Sequence, residues 1–143
     1  MTNYNDEQLQ KIRNLSDIQQ QLFDRQVEYL KDEGKKYIDT IKEFTGYEYK
    51  FTHPTIKWKS KLGPVLSLHE DFLYVYTSED KVVKFDLLND HYEQPSSFEE
   101  IVRLGGFEEA VAGFKTIESL LQSYLDELHV SIHDLEQQLK AFE

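Results

Sequence analysis

One apolar stripe runs through the last quarter of the chain and constrains the fold more than any other feature. Between Phe107 and Phe142 the apolar residues recur at steps of three and four, the spacing of one face of an α-helix. We therefore predict a helix over 107–142, about 54 Å long at roughly 1.5 Å per residue. Such a helix is longer than a compact domain of this size is wide, so it needs a partner along its length. The stripe consists of Ala110, Phe114, Ile117, Leu121, Leu125, Leu128, Ile132, Leu135, Leu139 and Phe142.

A second apolar stripe near the start of the chain supplies the expected partner. Residues 5–45 are predicted to be helical, with the main start at Ser16, because Gln19 lies three residues on and completes a capping box. Gly34 costs about 1 kcal/mol relative to alanine in a helix interior, so we expect a kink or break there. Gly46 is expected to end the element as a C-terminal cap. The stripe comprises Leu15, Ile18, Leu22, Phe23, Val27, Leu30, Tyr37, Ile41 and Phe44.

Between the two stripes the apolar period changes from helical to two. Residues 47–86 alternate apolar with polar side chains, which predicts an antiparallel sheet of four or five strands. The first strands are expected over 47–51 and 56–61, and a three-strand meander is expected to begin at Val65. The polar segment 87–96 is predicted to be a connecting loop.

These patterns together predict one α+β domain over residues 1–143. Its long N-terminal and C-terminal helices, 5–45 and 107–142, are expected to pack antiparallel with a central four- or five-stranded antiparallel sheet. A short helix over 97–104, opened by a capping box at Ser97 and closed by the glycines that follow Leu104, precedes the last long helix.

The negative charge of the chain is concentrated near its C-terminus. Residues 87–143 carry 12 acidic and 3 basic side chains, and so account for −9 of the net charge of −11. A field of that sign repels nucleic-acid phosphates and anionic lipids and attracts basic protein surfaces. We therefore expect a basic protein surface as partner, with no direct binding of nucleic acid or membrane.

The absence of cysteine excludes disulfides, thiolate metal sites and thiol chemistry. It is compatible with a reducing compartment, and no signal-peptide pattern or apolar run of about 18 residues is present, so we expect a cytoplasmic protein.

Catalytic and metal-binding motifs are not apparent in the sequence. His129 and His133 are four residues apart and would share a helix face, but they provide only two ligands and no HExxH pattern surrounds them. The pair at Gly105 and Gly106 lacks the residues of a phosphate loop. We expect no catalytic residue, no cofactor and no metal, and hence a protein that is not an enzyme.

The first hypothesis for function is a small acidic interaction module that binds and inhibits or regulates a basic protein. The partner could itself bind nucleic acid, in which case the carboxylates would imitate DNA, as in inhibitors carried by phages and mobile elements. The candidate partner-binding residues are Glu108, Glu109, Glu118, Asp126, Glu127, Asp134 and Glu136.

The second hypothesis is a coiled-coil scaffold or chaperone-like assembly protein. The predicted C-terminal helix is longer than the segment from Ser16 to Phe44, so its far end is expected to remain uncovered and to meet another chain, such as a second copy in a homodimer. The candidate oligomer interface consists of Leu128, Ile132, Leu135, Leu139 and Phe142.

Overall fold

The computed structural model describes residues 4–47 and 49–143, and it confirms the α+β architecture. A long helix opens the chain, four strands form one sheet, and a short helix leads into a second long helix. In chain order the elements are α1 (Tyr4–Gly46), β1 (Val65–His69), β2 (Phe72–Tyr76), β3 (Val82–Asp86), β4 (Tyr92–Ser96), α2 (Phe98–Arg103) and α3 (Phe107–Lys140).

The sheet is an antiparallel meander in the order β1-β2-β3-β4. Its first three strands confirm the meander predicted from Val65. The fourth strand differs from the prediction, because Tyr92–Ser96 lies in the segment predicted to be a loop. This strand is polar and contains Pro95, which is tolerated because β4 pairs only with β3 and forms an edge of the sheet.

Over residues 47, 49–51 and 56–61, the predicted strands are not formed. In the described part of this segment only an isolated bridge joins Phe51 to Ser60, and Glu48 lies outside the described residues. Apolar residues of this segment are instead buried individually, without forming a regular strand. Phe51 is fully buried next to Phe44, and Ile56 is buried against the far face of the sheet.

Both faces of the sheet are covered. Tyr74 and Tyr76 of β2 point into the main core, which the helices share, whereas Leu73 and Val75 point into a smaller cluster that contains Ile56. This alternation follows from the period of two along a strand. The ring of Phe114 joins the layers, since it packs on Tyr76 and on aromatic side chains of α1 and α2.

The two long helices pack side by side in the same direction, so the antiparallel arrangement expected from the sequence is wrong. Residue numbers rise together along the contact, which fixes the direction. Three ring pairs mark the contact from one end to the other: Tyr29–Phe107 at 5.6 Å, Tyr37–Phe114 at 6.4 Å and Phe44–Tyr124 at 5.5 Å. A parallel pair is possible because the connection between the helices is long and includes the whole sheet, whereas a short loop would force neighbouring helices to be antiparallel.

The structure corrects the expected start of α1 and excludes a break at Gly34. Ser16 does not start the helix, because the preceding residues from Tyr4 onward are already helical and contain neither proline nor glycine. Gly34 does not break it either. Gly34 is buried where α1 meets the sheet, and a Cβ atom added there would lie 2.8 Å from the hydroxyl oxygen of Tyr76, so the glycine serves close packing.

The short helix α2 begins as predicted. The Ser97 hydroxyl accepts a hydrogen bond from the amide of Glu100 at 3.1 Å and caps the helix. Burial would raise the pKa of the Glu100 carboxyl, but hydrogen bonds from Tyr74, Ser96 and Lys84 outweigh it and hold that pKa below its ordinary value. These contacts fasten α2 to the sheet.

One glycine sets the close approach of α3 to the sheet. A Cβ atom added to Gly113 would lie 2.2 Å from the carbonyl oxygen of Val65 in β1. Backbone cannot yield as a flexible side chain can, so this face of α3 is fully occupied by the sheet.

Replacing Gly113 with alanine should therefore destabilise the protein by about 1–3 kcal/mol, the usual cost of overpacking. This should exceed the gain in helix propensity, which is at most about 1 kcal/mol. Gly46→Ala is the matched control, because a Cβ atom at Gly46 meets nothing within 4 Å. Urea denaturation of both variants measures the difference, and equal stability of the two would contradict the close α3–β1 contact.

Candidate functional site

Among residues 4–47 and 49–143, tertiary packing is concentrated in the middle of the molecule. The helices overlap between about Val27 and Phe44 in α1 and between Phe107 and Tyr124 in α3, where the rings of both meet. We call this overlap, the sheet and α2 the head. Both long helices continue beyond it.

The N-terminal arm is residues 4–22 of α1, about 28 Å of helix. All of its residues are exposed except Gln8, which is partly buried. The arm nevertheless carries large apolar side chains that are 50–74% exposed: Tyr4, Leu9, Ile12, Leu15, Ile18 and Leu22.

The C-terminal arm is residues 125–142, which contain the last part of α3 and the turn after it, about 27 Å in length. Every residue in it is exposed. Its apolar stripe is 41–92% exposed and consists of Leu125, Leu128, Ile132, Leu135, Leu139 and Phe142. The interface residues predicted from the sequence all lie on this arm, in one continuous row.

The two arms leave the head at opposite ends. The N-terminal arm precedes the packed part of α1, the C-terminal arm follows the packed part of α3, and the two helices run in the same direction. An antiparallel pair would have covered more of each stripe. The parallel direction is therefore the reason that both apolar stripes are exposed.

The C-terminal arm has the strict heptad spacing of a coiled coil. From Leu121 onward the apolar steps are 4, 3, 4, 3, 4 and 3, which places leucine, isoleucine or phenylalanine at each a and d position. Between Leu121 and Phe142 the positions that flank this stripe, e and g, are nearly uncharged. They are Gln122, Tyr124, His129, Ser131, Glu136 and Gln138.

The N-terminal arm is less regular. Its apolar residues Leu9, Ile12, Leu15 and Ile18 follow each other at steps of three, which turns the stripe around the helix instead of keeping it on one heptad face. The sequence pattern assigns Leu15, Ile18 and Leu22 to the stripe that meets the C-terminal helix. In the structure they are exposed and lie beyond the head.

The acidic candidate residues do not form one patch. Glu108 and Glu136 are 28 residues apart on α3, about 42 Å. Two of the carboxylates are engaged within the head: Glu109 accepts a hydrogen bond from the Ser67 hydroxyl at 3.0 Å, and Glu118 accepts one from the Tyr37 hydroxyl at 2.7 Å.

The acids of the C-terminal arm are arranged differently. Asp126, Glu127 and Asp134 occupy b and c positions, so they lie together on one exposed side of the arm and away from its apolar stripe. Asp126 also accepts a hydrogen bond from Gln122 at 2.9 Å. Glu136 lies at the edge of the stripe.

A cleft of about 680 Å³ lies on the head between α1, the β2–β3 turn and the β4–α2 junction. Four of the seven charged side chains that line it form ion pairs: Lys31 contacts Glu99 at 3.3 Å, and Lys81 contacts Glu79 at 3.8 Å. A backbone hydrogen bond and, after it, the Lys31 ammonium lower the pKa of Glu99 against the effect of burial. No histidine lies among the residues that line the cleft, so its serines have no imidazole base beside them there.

The histidine pair at His129 and His133 lies exposed on the C-terminal arm. Within residues 4–47 and 49–143, no three or more histidine, aspartate or glutamate side chains are grouped so that they could hold a metal ion. In the same residues, no helix combines the length and apolarity that crossing a membrane requires.

Comparison of the chain with protein-family models, with curated protein sequences and with solved structures finds no match. The exposed arms are therefore the main guide to function.

Proposed function

We propose that this protein is a non-catalytic assembly protein, whose head carries two helical arms that join it to further copies of the chain. The observation that carries the proposal is the pair of apolar stripes at opposite ends of the molecule. Contiguous exposed apolar surface is typical of interaction sites, because soluble monomers rarely leave such surface uncovered.

The contrast with the head supports this reading. The head buries its large apolar side chains well, as with Leu30, Ile41 and Phe114, which are fully buried. A chain that packs its core so completely has no evident reason to retain about a dozen exposed apolar residues on two helices, unless they are covered by another chain.

The position of the charge is compatible with association despite a net charge of −11. The acids of the C-terminal arm lie mainly away from its stripe, so two such stripes can meet without placing carboxylates face to face. An isolated helix of this length is only marginally stable in water, and pairing would stabilise it.

Light scattering during size-exclusion chromatography tests the proposal. The wild-type chain should have a mass that rises with concentration above the 17.0 kDa of the monomer. The variant that combines Ile12→Asn, Leu15→Asn, Ile132→Asn and Leu135→Asn should have the monomer mass, because apolar burial drives the association. These side chains are exposed, so the unfolding of the head should change little. A wild-type monomer at millimolar concentration would contradict the proposal.

A second candidate function is capture of a basic protein by the acidic side of the C-terminal arm. The observation that favours it is the exposed grouping of Asp126, Glu127 and Asp134, which stays accessible when the stripe is covered. Charge complementarity of this kind steers association and makes it sensitive to salt.

The triple variant Asp126→Asn, Glu127→Gln and Asp134→Asn removes these three charges and tests the second candidate. It should lose most capture of basic proteins from an extract of the source organism at low salt, because the attraction is electrostatic. Glu108→Gln, which removes a charge on the head, is the control and should capture normally. Capture that is undiminished in the triple variant, or unchanged by added salt, would rule out this candidate.

A further inference from the structure

We infer that the C-terminal arm pairs with the C-terminal arm of a second copy in the antiparallel direction, over Leu125–Phe142. This inference rests on the proposed assembly function and specifies the partner, the arm and the geometry. Three observations lead to it. They are the face of α3 that packs against the head, the position along α3 at which the head ends, and the side chains that flank the apolar stripe.

The head excludes a parallel pair of straight α3 helices in register. The stripe of the C-terminal arm continues along α3 into Ala110, Phe114 and Ile117, which are fully buried against the sheet and α1. In a parallel pair, the partner helix would have to occupy the space already filled by these elements. In an antiparallel pair, the second head lies beyond the tip of the first arm, and the space beside each stripe is free.

The heptads and the head together select one register. In an antiparallel coiled coil each a residue faces a d residue of the partner, so the allowed registers differ by seven residues. One of them places Phe142 of one copy beside Leu125 of the other, just beyond the ring of Tyr124. A register shifted seven residues deeper would place Phe142 beside Glu118, where Tyr37 already lies.

In the selected register the facing a and d residues form layers along the dimer. Three different layers occur, and the two-fold symmetry repeats each of them once. Leu125 faces Phe142 of the second copy, Leu128 faces Leu139, and Ile132 faces Leu135. A register shifted seven residues the other way loses one third of these layers. The selected register is therefore the longest that the head permits.

The flanking side chains are complementary in this register. Glu136, the one acid beside the stripe within 125–142, comes opposite His129 of the second copy, and the symmetry repeats the pair. An imidazole can donate a hydrogen bond to a carboxylate whether or not it is protonated. On the other edge Ser131 comes opposite Gln138, two neutral polar side chains. Although the chain is strongly acidic, two C-terminal arms can therefore pair in this register without placing two like charges opposite each other along the contact between their stripes, which we call the seam.

The absence of cysteine makes a direct test simple, since every thiol in a variant is an introduced one. A chain with both Ser131→Cys and Gln138→Cys should form a covalent dimer on mild oxidation, because each new thiol faces the other type across the seam. Within one chain these two positions are about 10 Å apart along the helix, too far for a disulfide.

The single variants Ser131→Cys and Gln138→Cys are matched controls. In the selected register, residue 131 of one copy is displaced along the helix axis from residue 131 of the other by about 8 Å. For residue 138 the displacement is about 14 Å, so each single variant should cross-link poorly. A single variant that cross-links as efficiently as the double variant, or a double variant that does not cross-link at all, would overturn the antiparallel register.

A binding measurement separates this inference from the proposed function. Ile132→Asn with Leu135→Asn should raise the dimer dissociation constant at least about tenfold in sedimentation equilibrium, the effect of losing about 1.4 kcal/mol. Val130→Asn, an exposed change outside the stripe, should leave it nearly unchanged. A dissociation constant that is unchanged in the 132/135 variant would overturn this inference alone, whereas a monomeric wild-type chain would overturn the assembly function as well.

Discussion

The parallel contact between the middle of α1 and the first half of α3 holds the head together and determines where both arms lie. Phe114 lies at its centre, fully buried and in contact with rings from α1, α2 and β2. Gly113 beside it allows α3 to touch the backbone of β1. Because the contact uses only part of each helix and both run the same way, it creates a compact head and leaves an uncovered arm at each end.

This division separates folding from assembly. The head contains the buried apolar side chains and the hydrogen-bonded attachment of α2, so substitutions there act mainly on stability. The arms contribute little to that core and can be changed without opening it. The same separation explains how a chain with net charge −11 could associate, since much of its charge lies on surfaces that a coiled-coil seam would not cover.

Several features could be predicted from the sequence because they depend on local periodicity. The helix from Phe107, the cap at Ser97 and the meander from Val65 all follow from spacing within one segment. The direction of helix packing could not be predicted this way. Periodicity identifies which face of a helix is apolar, but it does not say which way a distant partner runs. The exposure of Leu15 and Leu22 depends on that direction and was unpredictable for the same reason.

The errors in the middle of the chain have a different origin. The alternation of apolar and polar residues over 47–51 resembles that of a strand. The rings of Tyr47 and Tyr49 instead pack against Phe44 and Tyr124 at the end of the helix pair. Conversely, β4 has the composition of a loop and is held in the sheet by its pairing with β3. In both segments tertiary contacts override the local pattern.

Amide hydrogen exchange at two protein concentrations distinguishes a packed head with two uncovered arms from a molecule that is packed throughout. In dilute solution, residues 4–22 and 125–140 should exchange much faster than the packed residues 27–44 and 107–124, because the arms lack tertiary support. At high concentration, exchange in 125–140 should slow while the head remains unchanged. Arms that are as protected as the head in dilute solution, with no dependence on concentration, would contradict the division into head and arms.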